Sequence, residues 1–477
     1  MNFIKKSTFG AAVVSAGGIT VVALGVTYLI QLVVFGILVP ELGSAKGFMD
    51  DHDSSRFNVG ANELESLIQE RGWSAWRLEY AGQPVVGVLG AVYAAIAPSP
   101  FVWAVVQSMM YGLAGGLMAV VFCKLPPGSP LPLVALGMAL FFPTAAMIYV
   151  LPHNDIFVFL GYALFVAGWW GIVGTAKPRM AWWQEGWRVV LGVSAAIAGM
   201  ALSGVFRDFT VDMFAAISVL LWIMVCGLAL FRFKRERAIG LRVVMPVLAG
   251  AVVLVVALGG FERAAFTLAE DSADTSPSPP LIGSALAKET PCEVVETTRR
   301  EQEVWQWQAS GWLPELIDER MKEVSRARER VIDLEGHART AVDLEIRFAS
   351  AMDVIVYIPR SVQLSVLSPF PNMWLPHPEA SFSRNLQRVL AGAEMVVFYA
   401  LLPGLFFAIW KWRWTPALWC LLIPAGVWLT TYGLAVPVIG SIARFRFPAF
   451  ATLVALSLLG VMAAVMGWRT HRRRPAR

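Results

Sequence analysis

The densest group of reactive side chains in the sequence is an acidic cluster directly after the first long apolar run. Asp50, Asp51 and Asp53 stand there together with His52 and Arg56. Carboxylates that share one site raise one another's pKa, so one of them could act as a general base. Alternatively, Asp51 and Asp53 could hold a divalent cation such as Mg²⁺ or Mn²⁺, or the stretch could be a solvated loop. Asp50, His52 and Arg56 are candidate substrate contacts.

Two further carboxylates stand at or inside apolar runs. Asp155, in the stretch LPHNDIF, would be costly if it faced lipid, which favours a functional role. The alternative is a helix N-cap, in which Asn154 or Asp155 accepts backbone N–H groups of the next helix. Glu394 lies within a later apolar run and is a candidate on the same ground, with a structural pairing as the alternative.

Two arginines, Arg444 and Arg446, come directly before the last apolar run. In an extended segment, side chains two residues apart point the same way, so the spacing predicts a parallel pair of guanidiniums. Such a pair suits the binding of a phosphate group. The alternative is that both side chains reach towards lipid headgroups.

These candidates belong to a chain that is too apolar to be soluble. Of its 477 residues, 57% are hydrophobic and 15% are charged, and the mean hydropathy is +0.60. Apolar runs near twenty residues recur, so we predict an all-α polytopic membrane protein in contact with membrane lipids. The net charge of +5 is concentrated in short loops and at the C-terminus, which is not a sign of nucleic-acid binding.

The apolar runs predict about ten transmembrane helices, the first of them a retained N-terminal helix. The predicted spans are 9–39, 101–124, 131–151, 156–174, 185–206, 213–231, 243–260, 389–410, 416–439 and 448–468. With a cytoplasmic N-terminus, the short basic loops and the basic tail fall inside, as the positive-inside rule requires. The expected location is therefore the inner (cytoplasmic) membrane with both termini cytoplasmic, and the arginine pair is exceptional in lying outside.

Two outer regions interrupt the alternation of spans. The first outer loop, 40–100, contains an amphipathic helical pattern (57–71) and a short apolar helix suited to the membrane interface (84–97). An α-rich extracytoplasmic insert follows the seventh span, with a Ser/Pro linker at 271–280 and a closing apolar segment at 355–374 that we expect to rest on the membrane surface. The chain thus divides into an N-terminal transmembrane module, the insert and a C-terminal transmembrane module: 1–260, 261–388 and 389–477.

Short motifs in this order resemble the GT-C superfamily, whose members are polytopic glycosyltransferases that use lipid-linked sugars. The pattern DSxRF at Asp53–Phe57 looks like the acidic first outer loop of that fold, and Asp155 resembles the second acidic position of its protein mannosyltransferase and aminoarabinose transferase branch. Three later stretches are similar to members found in bacterial surface-polysaccharide clusters: YIPRSVQLSVLSPFP (357–371), AEMVVFYALLPGL (393–405) and IGSIARFRFPAF (439–450). The insert departs from relatives that carry a soluble domain at the C-terminus, so the mode of acceptor binding stays open.

The resemblance implies a GT-C-like bundle that transfers a sugar from a polyprenyl-phosphate donor to a saccharide or lipid-linked acceptor at the outer face. Asp53, with Asp51, would supply or orient the base, and Asp155 would position the acceptor or a metal. Arg444 and Arg446 would stabilise the charge that grows on the leaving phosphate. Inversion at the anomeric carbon would follow from a single displacement.

Two other classes of function remain open. A surface-polysaccharide polymerase or ligase would use the same class of lipid and depend mainly on the arginines. A polysaccharide transporter or assembly scaffold would show charged groups in mid-membrane and broken helices in paired halves. The spans are mostly apolar and the candidate groups lie at one face, which favours the transferase.

Overall fold

The computed structural model describes residues 8–38, 53–126, 129–174, 182–236, 241–259, 305–335, 337–378 and 382–472. These residues form sixteen α-helices and no β-strand, which confirms the all-α prediction for the part described. The helices are α1 (Thr8–Tyr28), α2 (Asp53–Arg71), α3 (Pro84–Ala95), α4 (Pro100–Phe122), α5 (Leu131–Leu140), α6 (Ala146–Val150), α7 (Asp155–Val173), α8 (Trp182–Phe206), α9 (Thr210–Glu236), α10 (Leu241–Gly259), α11 (Glu315–Glu335), α12 (Ala351–Leu367), α13 (Phe382–Trp412), α14 (Pro416–Ala435), α15 (Ile439–Phe445) and α16 (Phe447–Arg472).

Eight helices in the described residues are long and apolar enough to cross a membrane, so the protein is a multi-pass membrane protein. They lie in Gly10–Ile37, Pro100–Phe122, Asp155–Val173, Trp183–Phe206, Thr210–Phe231, Asn385–Trp412, Pro416–Ala435 and Phe447–Met466. The other two predicted spans are less regular. Residues 131–151 contain two helices bent by 63° at a break before Pro143, and 243–260 contains a shorter apolar helix, Val244–Gly259.

Helices α7 and α8 pack backbone against backbone, and this pair leads directly to the candidate site. A Cβ on Gly161 would lie 2.2 Å from Ser203 Oγ and 2.6 Å from the Gly199 carbonyl oxygen. Only a glycine allows this approach, as is usual where membrane helices are held by van der Waals contact. The approach fixes the start of α7, where Asp155 stands, beside the end of α8, where Arg207 follows.

The first loop contains the two predicted helices. The amphipathic pattern at 57–71 is part of α2, which begins four residues earlier, and the apolar stretch at 84–97 forms α3. The two helices pack closely, since a Cβ on Gly90 would lie 2.8 Å from Leu64 Cδ2. Residue 53 is therefore the first residue of a helix that is anchored by an apolar partner.

The described part of the insert contains α11 and α12, and the Ser/Pro linker at 271–280 lies outside the described residues. Helix α11 agrees with the prediction of an α-rich insert, although two of five apolar residues at helical spacing along it are exposed. Ile317 and Leu334 are 43% and 67% exposed, while three are partly buried against the core: Met321, Val324 and Val331. The closing segment forms α12, which runs through Pro359 and packs on α14, where a Cβ on Gly433 would lie 2.1 Å from Ser361 O.

Candidate functional site

Arg444, in the last turn of the short helix α15, joins two carboxylates from distant parts of the sequence. Its Nη1 atom lies 3.1 Å from Asp53 Oδ2, and its Nε atom lies 3.2 Å from Asp155 Oδ2. Asp53 is the first residue of α2 and Asp155 the first of α7. The structure thus brings three of the predicted site residues together at one end of the helix bundle.

A second arginine, Arg207, completes the arrangement. It lies in the connection between α8 and α9, and its Nη2 atom donates to Asp155 Oδ1. We call Asp53, Arg444, Asp155 and Arg207 the Asp–Arg cluster. Sequence reasoning missed Arg207, yet the signal was available. The connection 207–212 lies between the predicted spans 185–206 and 213–231 and falls outside by the same alternation, where a basic residue is as exceptional as Arg444.

The aromatic ring of Phe445 lies against both guanidiniums of the Asp–Arg cluster. The Cζ atom of Arg207 is 3.7 Å from the ring centroid and that of Arg444 is 4.9 Å from it. The ring in turn packs against Tyr432 at a centroid distance of 5.5 Å. Trp428 fixes the backbone at this point, since its indole Nε1 donates to the Phe445 carbonyl oxygen. The arginines are therefore oriented by packing as well as by charge.

The two halves of the Asp–Arg cluster differ in exposure. The side chains of Asp155 and Arg207 are 8% and 13% exposed, whereas those of Arg444 and Asp53 are 24% and 47% exposed. Two carboxylates and two guanidiniums give the cluster no formal net charge. Of the two guanidiniums, that of Arg444 is the more exposed, so an anion that reaches the cluster from solvent would meet it before Arg207 and would compete with Asp53 for it.

The prediction that Arg444 and Arg446 point the same way is wrong. Residues 439–445 are helical rather than extended, and positions two apart on a helix face different directions. Arg446 is buried: its Nη1 donates to the Ser365 carbonyl oxygen at 2.7 Å, and its Cζ lies 4.2 Å from the Phe450 ring centroid. Arg446 therefore ties the start of α16 to α12, and only Arg444 of the predicted arginine pair lies with Asp53 and Asp155.

Glu394 lies apart from the Asp–Arg cluster and contacts Thr144. Its carboxylate accepts hydrogen bonds from the backbone N–H and the hydroxyl of Thr144, the latter at 2.7 Å. Thr144 lies at the break between α5 and α6, so Glu394 satisfies donors that the bend leaves open. This is the structural pairing considered as the alternative for Glu394.

The start of α7 has no side-chain N-cap hydrogen bond, so the alternative explanation of Asp155 as part of a helix cap is wrong. Asn154 occupies the N-cap position of α7 but makes no capping hydrogen bond. Its side chain instead accepts from the Val85 N–H and donates to Gln83 Oε1, which links the loop to α3. The Asp155 carboxylate instead forms ion pairs with Arg207 and Arg444.

Three predicted residues, Asp50, Asp51 and His52, lie outside the described residues. Arg56 is exposed on α2, one turn after Asp53. Within the part of the chain that is described, no group of three or more His, Cys, Asp or Glu side chains is placed to hold a metal ion. Of the two carboxylates suggested for a cation, Asp51 and Asp53, only Asp53 is among the described residues, and it forms an ion pair with Arg444.

The fold and the cluster together define a class: a multi-pass helical membrane protein with paired carboxylates and guanidiniums at one end of its bundle. Comparison of the chain with protein-family models, with curated proteins and with solved structures found no match. Any functional assignment therefore depends on the site itself.

Proposed function

We propose that the protein is a GT-C-like membrane glycosyltransferase that takes a sugar from a polyprenyl-phosphate donor at the outer face of the inner membrane, in the assembly of a surface polysaccharide or glycoconjugate. The observation that carries the proposal is the bridge that Arg444 makes between Asp53 and Asp155. A guanidinium for a phosphate and a carboxylate for a hydroxyl are the two groups that sugar transfer from such a donor needs.

The membrane location supports this choice of donor. A polyprenyl phosphate keeps its tail among lipids and its phosphate at the interface, so its enzyme needs cations at one end of a helix bundle. The Asp–Arg cluster lies at the ends of membrane-spanning helices, at the first residue of α7 and just before α16. The distribution of basic loops assigns this end to the outside.

The proposed reaction is a single displacement. The acceptor hydroxyl transfers its proton to the Asp53 carboxylate as its oxygen forms a bond to the anomeric carbon. The bond between that carbon and the phosphate oxygen breaks, and its electron pair leaves with the polyprenyl phosphate. Arg444 stabilises the charge that develops there, and Arg207 adds to the same field. Asp155, bound by both arginines, orients them and would not itself contact the acceptor.

The test uses the purified protein in lipid nanodiscs. Titration with polyprenyl monophosphate, the product common to all such donors, measures phosphate recognition, and unphosphorylated polyprenol is the control ligand. We expect Arg444→Gln to weaken binding of the phosphate by about 10- to 100-fold, the worth of a charge-assisted hydrogen bond, and to leave polyprenol partition unchanged. Arg71→Gln, at the far end of α2, is the matched control.

Transfer itself is followed by the appearance of polyprenyl phosphate from a panel of polyprenyl-phosphate sugars. The proposal is overturned if the wild-type protein binds the phosphate no better than polyprenol, or if Arg444→Gln binds like the wild type.

One observation bears on each alternative. The second arginine, Arg207, suits a polymerase or ligase in which guanidiniums do most of the work, and such an enzyme would keep its rate in Asp53→Asn. The bend between α5 and α6, with Glu394 at the break, is of the kind seen in transporters. A transporter would lose substrate flux in Glu394→Gln and form no polyprenyl phosphate.

A further inference from the structure

The insert contacts the transmembrane module through its backbone, next to the helix that bears Arg444. We call residues 338–350 the strap. The Val342 N–H donates to the Pro437 carbonyl oxygen at 2.8 Å, and the Ile439 N–H donates to the Thr340 carbonyl oxygen at 3.0 Å. Ala341 and Val438 form an antiparallel bridge between these two bonds. The strap thus pairs with the segment that leads into α15.

Arg328 of α11 holds the strap in this position. Its guanidinium is fully buried and donates to three backbone carbonyl oxygens. Two belong to the strap, at Asp343 (2.8 Å) and Ile346 (3.0 Å), and the third is that of Leu434 at the end of α14 (3.0 Å). One side chain therefore ties the insert to the transmembrane module within a few residues of α15. Its removal would take a donor from the Ile346 and Leu434 carbonyl oxygens, whereas the Asp343 oxygen would keep its bond from the Ile346 N–H.

The strap is also tied to α12. Asp343 has a φ of 53°, a left-handed conformation that Asp tolerates better than most residues. Its carboxylate accepts from the Tyr357 hydroxyl at 2.6 Å and from Arg360 Nε at 2.8 Å. These bonds hold the turn that presents the neighbouring carbonyls to Arg328.

A second connection reaches the other arginine of the Asp–Arg cluster. Arg320 of α11 forms an ion pair with Asp212, at 2.7 Å, in the first turn of α9. Asp212 is five residues after Arg207 in the sequence. The insert therefore contacts the chain five residues from each guanidinium, at Asp212 and at Ile439.

We propose that the insert is a positioning element for the phosphate site and that Arg328 is its main positioning residue. This inference depends on the proposed function. Ile439, which the strap holds, begins the helix α15 and precedes Arg444 by less than two turns, so movement of the strap moves the guanidinium. A displacement of about 1 Å at a catalytic group is enough to cost roughly 100-fold in rate.

The experiment measures binding of polyprenyl monophosphate to the full-length protein in nanodiscs. Arg328→Met should weaken binding by about tenfold or more, although Arg328 itself lies outside the Asp–Arg cluster. Arg330→Met, on the exposed side of the same helix, should bind like the wild type. The thermal midpoint of each variant shows whether it is folded.

A cross-link separates positioning from general stability. Residues paired in an antiparallel bridge are close enough for a disulfide, so Ala341→Cys with Val438→Cys fixes the strap to the segment before α15. In the Arg328→Met background, oxidation of this pair should restore most of the lost affinity, and reduction should remove it again. The inference is overturned if folded Arg328→Met binds normally, or if the oxidised protein binds as weakly as the reduced one.

One further strap variant and the Arg444→Gln titration distinguish the remaining outcomes. If Arg328→Met does not fold, Arg360→Met, whose side chain is 39% exposed, tests the same strap with a smaller expected loss of about two- to fivefold. If Arg444→Gln has no effect on the phosphate, the proposed function fails. If Arg444→Gln weakens binding and the strap variants do not, only the positioning role fails.

Discussion

Replacement of Asp53 by Asn should have opposite effects on phosphate binding and on turnover. Asp53 Oδ2 lies 3.1 Å from Arg444 Nη1, so the carboxylate is bound to the guanidinium with which the proposed donor phosphate would interact. Donor binding would therefore displace Asp53 from Arg444 and release it to accept the acceptor's proton. Asparagine keeps the shape of the side chain but has no charge with which to compete or to take up a proton.

The exposure of the pair sets the size of the binding effect. The Asp53 and Arg444 side chains are 47% and 24% exposed, and ion pairs of this kind contribute about 1 kcal/mol or less. Loss of that competition should tighten binding of polyprenyl monophosphate by up to about fivefold. Loss of a general base should lower turnover by roughly 10²- to 10⁴-fold.

The assay is the phosphate titration in nanodiscs, run beside transfer from polyprenyl-phosphate sugars. Glu70→Gln removes an exposed carboxylate near the other end of α2 and should change neither quantity. Asp53 is neither a competitor of the phosphate nor the base if Asp53→Asn binds the phosphate more weakly than the wild type and transfers sugar at the normal rate; either result alone excludes the corresponding role.

Three other predictions concern the framework around the site. Arg446→Met should lower the thermal midpoint, because the buried Ser365 carbonyl loses its donor, and should leave phosphate affinity unchanged; a loss of affinity would return Arg446 to the site. Gly433→Ala should destabilise the protein by about 1–3 kcal/mol, because its Cβ would lie 2.1 Å from a backbone oxygen of α12. Gly426→Ala on the same helix meets nothing within 4 Å and should be neutral or slightly stabilising in the same thermal unfolding measurement; equal effects would contradict the packing. Finally, hydrogen bonding from Arg360 holds the pKa of Asp343 below its ordinary 3.8, so this contribution to stability is present above about pH 4 and is lost as the pH falls through the folded-state value. Asp343→Asn should remove that part of the pH dependence of the thermal midpoint, and an unchanged profile would exclude the strap as its source.

The error over Arg446 has a definite physical origin. The spacing of Arg444 and Arg446 is compatible with either an extended or a helical backbone, and the choice decides whether the two side chains point together or apart. Segment 439–445 is helical, and its N-terminal residue is held by the strap. Seven residues are too few for hydropathy to distinguish a helix from a strand.

The positions of Asp53 and Asp155 were easier to predict from the sequence, because they depend on where the membrane spans begin and end. Asp53 and Asp155 each begin a helix, and the predicted alternation of spans had placed both on the outer side. Arg207 was missed although the same alternation applies to it, because it is a single arginine next to Asp208 and has no second arginine beside it.

The sequence by itself determined that this is a multi-pass helical membrane protein, and it singled out Asp53, Asp155 and Arg444. Length and apolarity decide which segments enter lipid, because each span must satisfy its own backbone hydrogen bonds. Only the tertiary structure decided that Arg444 joins the two aspartates, that Arg446 faces away and that the insert is fastened beside α15. Those outcomes are set by contacts between residues far apart in the chain, and local pattern carries no information about which distant partners will meet.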